Sequence, residues 1–394
     1  MSNPVFDLPP PSEEAQRYSA ALTARIVDEI AACGGWIGFD RFMEMALYTP
    51  GLGYYSGGAH KFGASGDFVT APELTPIFAQ TLAASAQEIF SLSAPHIIEV
   101  GAGSGKLAAD LLLELEFRHD LPESYSILDL SGELRERQRT TIAERAPQLL
   151  PRVVWLDRLP ERFDGLVLAN ELLDAVPVHL VRWGADDAPG QVFERGVVCD
   201  SSAFAWQDRP AQGRLLQQAR GISEEFAPPV GYVSEIGLAA PDWSASWGRI
   251  LGRGALLLID YGFPRHEFYH PQRSTGTLMC HYRHRAHGEP FFLPGLQDIT
   301  AHVDFTAIIE SGHAAGLDLL GYTTQGVFLL NSGITDILAR TPIEDSARYL
   351  AQSQAVQKLI SPAEMGELFK VMALGKGIDI ALAGFAQGDR SATL

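Results

Sequence analysis

The sequence predicts an α/β fold, a mostly parallel sheet with helices on both faces. Three observations carry that prediction. Strand-like and helix-like segments alternate from residue 96 to residue 170, the pattern of βαβ units. A glycine-rich turn, GAGSG at 101–105, joins the first of those strands to its helix. Polar residues with carboxylate or amide groups recur where the strands run out, at Glu99, Asp129, Asn170 and Glu171. In an open parallel sheet that carboxyl edge is where ligands bind.

Taken in order, residues 1–11 are proline-rich and read as a loose tail. Ser12 caps a helix that runs to about Cys33, with Ala15, Leu22, Ile26 and Ile30 facing inward and Gly34-Gly35 ending it. A short helix, GFDRFMEMALY, follows. The next stretch, PGLGYYSGGAHKFGASGDFVTAPELTP, is too long and too rich in specific side chains for a plain connector. A helix over 76–91 has Thr75 as its cap and Pro76 at its first position. Then HIIEV is a strand and SGKLAADLLLELEF a helix; YSILDL is a strand and GELRERQRTTIAERA a helix; RVVWL and DGLVLA are strands. Residues 184–251 break the pattern with shorter segments and scattered Gly, Pro and Trp. RGALLLIDYG resumes it as a buried strand, VDFTAIIESGHAAG is a helix and LDLLGYTT a strand. A helix near 345–358 and a strand, LFKVMAL, follow. The expected segments are a helical arm with the glycine-rich loop (1–93), a first part of the core (94–183), an insertion or cap (184–251) and a second part of the core (252–394).

Composition narrows the function. The 394 residues are 46% hydrophobic with a formal net charge of -18. Such a surface repels phosphate backbones, so nucleic acid is not expected as a partner, whereas a basic protein is not repelled. Cys33, Cys199 and Cys280 form no CxxC pair, so neither a disulfide framework nor a zinc site is implied. A reducing, cytoplasmic compartment is expected. MSNPVFDLPPP has no basic region followed by an apolar core, so no secretory signal is read. No stretch approaches the roughly 18 apolar residues of a membrane span. The apolar helix 76–91 and Trp206, Trp243 and Trp247 suit either a core or a homodimer interface.

The glycine spacing selects the ligand. A phosphate loop needs G-x-x-x-x-G-K-[ST]. Here Val100 stands in place of the first glycine and Leu107 in place of the hydroxyl residue. The dinucleotide fingerprint puts its third glycine five positions after the first. Here Gly101, Gly103 and Gly105 are followed by Lys106 in that place. With Glu99 before it, the turn reads E-x-G-x-G-x-G, the type found in class I S-adenosylmethionine-dependent methyltransferases. Glycines let the backbone approach a ligand closely, and the helix end that follows favours a carboxylate. Asp129, at the end of the next strand, suits two ribose hydroxyls, as acids there do in dinucleotide folds.

Asn170, Glu171 and Asp174 leave the fourth strand on the acceptor side of that edge. The Asn-Pro-Pro-aromatic tetrad that suits amide or adenine nitrogens is absent. Two neighbouring carboxylates suit a cation instead. A guanidinium stays protonated, and carboxylates can clamp it in a fork and take a proton as its nitrogen attacks.

These residues, with the longer stretches DFVTAPE, NELLDAVPV, LLLIDYGFP and DITAHVDFT, resemble the MidA-like family, which includes the mitochondrial complex I assembly arginine methyltransferase. The resemblance spans most of the chain from about residue 48. It implies a class I methyltransferase (Rossmann-like) core with a seven-stranded, mostly parallel sheet, an N-terminal helical arm and a central insertion. It implies S-adenosylmethionine as cofactor, held by Glu99, Gly101, Gly103, Gly105, Asp129 and Asn170. It also implies a protein substrate, a respiratory complex I subunit. GDFVTAPE looks like part of a lid, placing Asp67, Thr70 and Glu73 over the cofactor. Glu171, with Asp174 or Asp260 beside it, would hold the acceptor nitrogen. His281, His284 and His287 stand at three-residue spacing without a converging fourth group, so no metal is expected; His284 or His302 could make a polar contact.

Overall fold

The computed structural model describes residues 8–57, 70–185, 188–200, 203–342 and 344–394. They gather into two compact units that alternate along the chain. The first takes in the described residues of Met1–Phe68 with Asp174–Ala240 and Arg265–Asp304. The second takes in those of Val69–Leu173 with Pro241–Pro264 and Phe305–Leu394.

The second unit is built on seven strands: β1 (His96–Val100), β2 (Ser124–Leu128), β3 (Val153–Leu156), β4 (Phe163–Asn170), β5 (Leu251–Phe263), β6 (Asp318–Thr324) and β7 (Phe369–Lys376). Their order is β6-β7-β5-β4-β1-β2-β3. β5, β4, β1, β2 and β3 pair in parallel, and β7 runs antiparallel to both β5 and β6. Buried on both faces, β4 and β5 read as continuous apolar runs, as strands of a covered parallel sheet do. Helices α1 (Ala71–Leu74), α2 (Pro76–Leu92), α3 (Lys106–Phe117) and α4 (Gly132–Arg145) precede or follow the first strands. Thr75 caps α2 by accepting from the Ile77 amide at 3.3 Å. Ile77, Phe78, Leu82, Ala86 and Ile89 of α2 are buried in the sheet's core, so this helix clusters with the sheet rather than with the N-terminal arm in which it was expected. Trp247 is also buried in this unit, edge-on to Phe163.

The first unit is organised around helix Glu13–Ala32, helix Phe39–Tyr48 and two antiparallel sheets. Ser12 Oγ accepts from the Ala15 amide at 3.2 Å, the cap its position predicts. The five-stranded sheet runs Ile37–Gly38, Ala188–Asp200, His179–Ala185, Tyr232–Ile236, with Ala203–Pro210 also paired to Ala188–Asp200. The stretch 184–251 therefore does not stand alone: its strands pair with residues 37–38 and 179–185. Strand Ala203–Pro210 has mostly exposed or half-buried side chains and no period-two burial, which is why its sequence carries no strand signal. The three-stranded sheet runs Arg285–His287, Met279–Tyr282, Asp298–Thr300. Arg283 and His284 form its two-residue turn, both at positive φ, a hairpin geometry usually given to Asn and Gly. The histidine spacing of HYRHRAH thus reflects a hairpin.

Candidate active site

The glycine turn takes its shape from three left-handed residues, Gly101 (φ 71°), Gly103 (51°) and Gly105 (81°). A Cβ on Gly105 would lie 2.8 Å from Gln138 Cα, so the helix α4 backbone forbids a side chain there. A Cβ on Gly103 would meet nothing within 4 Å, so that side of the turn is open. Beneath it, Glu99 is 2% exposed and accepts from the Tyr125 hydroxyl at 2.6 Å. Burial pushes its carboxyl up to about 7; the Tyr125 bond opposes this and the charge of Asp129 adds to it.

Asp129 lies just past β2 and is buried. Its Oδ1 accepts from the Ser131 amide at 2.9 Å and its Oδ2 from Gln138 Nε2 at 2.8 Å. Burial raises its pKa against those bonds. Gln138 also donates to the Gly103 carbonyl and accepts from the Trp155 indole at 2.9 Å. It ties the glycine turn, Asp129 and β3 together, and no feature of the sequence singled it out. Leu130, beside Asp129, is 87% exposed, an apolar face at the same edge.

On the acceptor side, β4 ends at Asn170 and the chain turns sharply at Glu171, whose φ is 51°. The Glu171 amide donates to the Ile259 carbonyl at 2.8 Å, and its Oε1 accepts from the Ala71 amide and Asn170 Nδ2, each at 3.2 Å. Asn170 Oδ1 is buried and has no hydrogen-bond partner among the described residues. Thr70 precedes α1, and its side chain makes no capping bond. One turn on, Glu73 accepts from the Ser104 hydroxyl, and Lys106 Nζ donates to the Glu73 carbonyl at 2.9 Å. Helix α1 therefore touches Glu171 at its start and the glycine turn at its end. Asp67 lies outside the described residues.

The other two expected acceptor ligands make backbone contacts of their own. Asp260 is 1% exposed; its Oδ2 accepts from the amides of Leu172 (3.1 Å) and Leu173 (2.8 Å), and its Oδ1 from the Tyr261 amide at 2.9 Å. The carboxylate grips the backbone that follows Glu171. Asp174 opens the next stretch of the first unit, where its carbonyl accepts from the Ala301 amide at 2.9 Å. Among the histidines, His281 and His287 are held below the usual imidazole range, first by burial, and the His302 amide donates to Thr277 Oγ1 at 3.0 Å. Among the described residues one trio has the composition and spacing of a metal site, Asp40, His179 and Glu194. His179 Nδ1 lies 2.9 Å from Glu194 and 3.4 Å from Asp40. Burial lowers the imidazole's pKa, but the Glu194 bond and both carboxylate charges outweigh it and raise it, so the trio reads first as a charge-bridged histidine.

The edge of the sheet thus offers acids, a buried amide oxygen and an open glycine, and Lys106 beside the turn is paired to Glu73. That donor set suits ribose hydroxyls and a positive charge, and it does not suit a diphosphate. Together with the strand order and the reversed β7, it defines a class I S-adenosylmethionine-dependent methyltransferase. The chain belongs to the family of S-adenosyl-L-methionine-dependent methyltransferases whose model matches residues 77–323, and its cofactor is S-adenosylmethionine. A Burkholderia thailandensis protein solved bound to S-adenosyl-homocysteine is 54% identical, covers 98% of this chain and 100% of its own, and superposes with a TM-score of 0.93. The protein arginine methyltransferase NDUFAF7 of Mus musculus mitochondria is 29% identical over 84% of this chain and 79% of its own. Its Drosophila melanogaster homolog is 26% identical over 95% and 89%. These relatives are mitochondrial by name, which overturns the cytoplasmic expectation. That expectation rested on cysteine usage, which reports a reducing compartment and does not say which one. No helix among the described residues is long and apolar enough to cross a membrane.

Proposed function

We propose that this methyltransferase modifies an arginine side chain of a protein, with a subunit of respiratory complex I as the acceptor to test first. The observation that carries the reading is Glu171. It is a carboxylate fixed at the acceptor edge of the sheet by the Ala71 amide and by Asn170. The names of the curated relatives support the arginine.

Bound S-adenosylmethionine supplies a methyl group on a sulfonium, already a good leaving group. The chain's own residues then have three tasks. Asp129 accepts the ribose hydroxyls while Ser131 and Gln138 hold its orientation. Glu99 and the Asn170 amide oxygen provide negative potential for the cofactor's charged end. Glu171 orients the acceptor nitrogen and takes its proton as the nitrogen attacks, so that catalysis is mostly positioning. Asp260 is a positioning residue here: by accepting from Leu172 and Leu173 it sets the turn that aims Glu171.

The test is methyl transfer from labelled S-adenosylmethionine to purified complex I subunits, with the modified residue mapped by mass spectrometry. Label on arginine that disappears in Glu171→Gln supports the reading. Label on another residue type, or full turnover by Glu171→Gln, sinks it.

A further inference from the structure

Helix α1 is a single turn, yet it is tied down at both ends. Its first residues, Ala71 and Pro72, are buried. Pro72 fixes one φ, and the amides of Glu73 and Leu74 both return to the Thr70 carbonyl, at 3.0 and 3.3 Å. Thr75 follows at once as the cap of α2. At about 1.5 Å per residue, α1 is a bar roughly 6 Å long with little freedom of its own.

At the start of the bar the Ala71 amide donates to Glu171 Oε1 at 3.2 Å. At its end Glu73 meets the glycine turn twice: the Ser104 hydroxyl donates to its carboxylate, and Lys106 Nζ donates to its carbonyl at 2.9 Å. Ser104 is itself held, because its Oγ accepts from the Lys106 amide at 3.4 Å.

The Glu171 carboxylate needs such an outside hold. Its residue lies in neither helix nor strand and has a left-handed φ of 51°, so no regular backbone aims its side chain. Of the two donors to Oε1 described above, Asn170 is the chain neighbour and moves with the turn. The Ala71 amide belongs to another element and gives the carboxylate a fixed reference. A displacement of about 1 Å in such a group can cost about 100-fold in rate. The Glu73 side chain is 38% exposed, so its bonds add little to global stability and their value lies in placement.

We infer that Glu73 is a positioning residue for methyl transfer: anchored by Ser104, it holds α1 where the Ala71 amide fixes Glu171, so that one strut sets both the cofactor turn and the acceptor carboxylate. The inference rests on the role given to Glu171 above. It gives Glu73, expected over the cofactor, a different task, and it brings in Ser104, which the sequence did not single out.

The experiment labels the carboxylates of the full-length protein, saturated with S-adenosylhomocysteine, with carbodiimide and glycine ethyl ester, and reads each residue by mass spectrometry. Glu73→Ala and Ser104→Ala should each raise labelling of Glu171 by about 3- to 10-fold, as expected for the loss of one hydrogen bond. The double variant should go no further than either alone, since both remove the same bond. Asp260 should stay protected throughout. Glu73→Gln keeps an oxygen that accepts from Ser104 and should label Glu171 as wild type does, a rescue that a loss of mere packing would not show. Single-turnover methyl transfer to the complex I subunits should follow the same pattern, with melting temperatures unchanged. Ser104→Ala carries the test if Glu73→Ala does not fold. Unchanged Glu171 labelling in both alanine variants, or equal labelling in Glu73→Gln and Glu73→Ala, overturns the inference. The labelling needs no acceptor, so full turnover by Glu171→Gln would remove the role of Glu171 alone, and unchanged labelling would remove the strut alone.

Discussion

The glycine turn and the turn at Glu171 are built in opposite ways. The glycine turn is one continuous stretch, 99–105, whose chemistry lies in its backbone and in acids a few residues from it. The turn at Glu171 is held from afar, by the Ala71 amide 100 residues away and by Asp260, which grips Leu172 from 88 residues away. A motif contained in one stretch is legible in a linear sequence, whereas a turn held by distant segments leaves little trace in it.

Mutations should separate the two regions cleanly. The largest effect is expected at the turn: Gly103→Val places a side chain in the open space above the glycines and should weaken S-adenosylmethionine binding by about 100-fold or more, beyond a strain of roughly 1–2 kcal/mol for the left-handed backbone. Calorimetry with a melting curve on the same sample tells ligand exclusion from misfolding. Glu171→Gln comes next. It should lower kcat by about 10²–10⁴ with cofactor affinity unchanged, read from single-turnover kinetics. Should cofactor affinity fall in parallel, the division between cofactor side and acceptor side would be wrong.

Two smaller effects sharpen the comparison. Asp260→Asn keeps one acceptor oxygen where Asp260 has two, so either the Leu172 and Leu173 amides or the Tyr261 amide lose their acceptor, which should cost about 1–3 kcal/mol of stability, measured by denaturant unfolding, with kcat reduced through Glu171. Glu99 gives a pH signature. Its folded pKa, about 7, is raised above the unfolded value of 4.5. A raised folded pKa contributes stability that is fully present below the unfolded value and lost as pH rises through the folded one. Wild type should therefore lose about 3 kcal/mol relative to Glu99→Gln between pH 4 and pH 8, at roughly 1.4 kcal/mol per pKa unit. A flat difference across that window would show that Glu99 is not buried as the fold places it.

Legibility followed the same division. The sheet, the turn and Asp129 were readable because each depends on neighbours in sequence: an apolar run, a glycine spacing, an acid at a strand's end. Gln138 was not, since it sits in α4 among polar residues and acts only where α4 packs over the turn. Asp260 was visible as an acid in β5, but its two bonds to the Leu172 and Leu173 amides depend on β4 lying beside β5. Asp298 was seen only inside a longer familiar stretch, because its partner, Tyr55, is 243 residues away. The strands of 188–210 escaped because one of them buries almost nothing on either face.

Glu171 stands in a left-handed backbone conformation that glycine would adopt freely. Replacing it by glycine should relieve about 1 kcal/mol of backbone strain, but it strips the Ala71 amide and Asn170 Nδ2 of their acceptor, a loss of about the same size or larger. The strained turn is thus kept in place by the very side chain it presents.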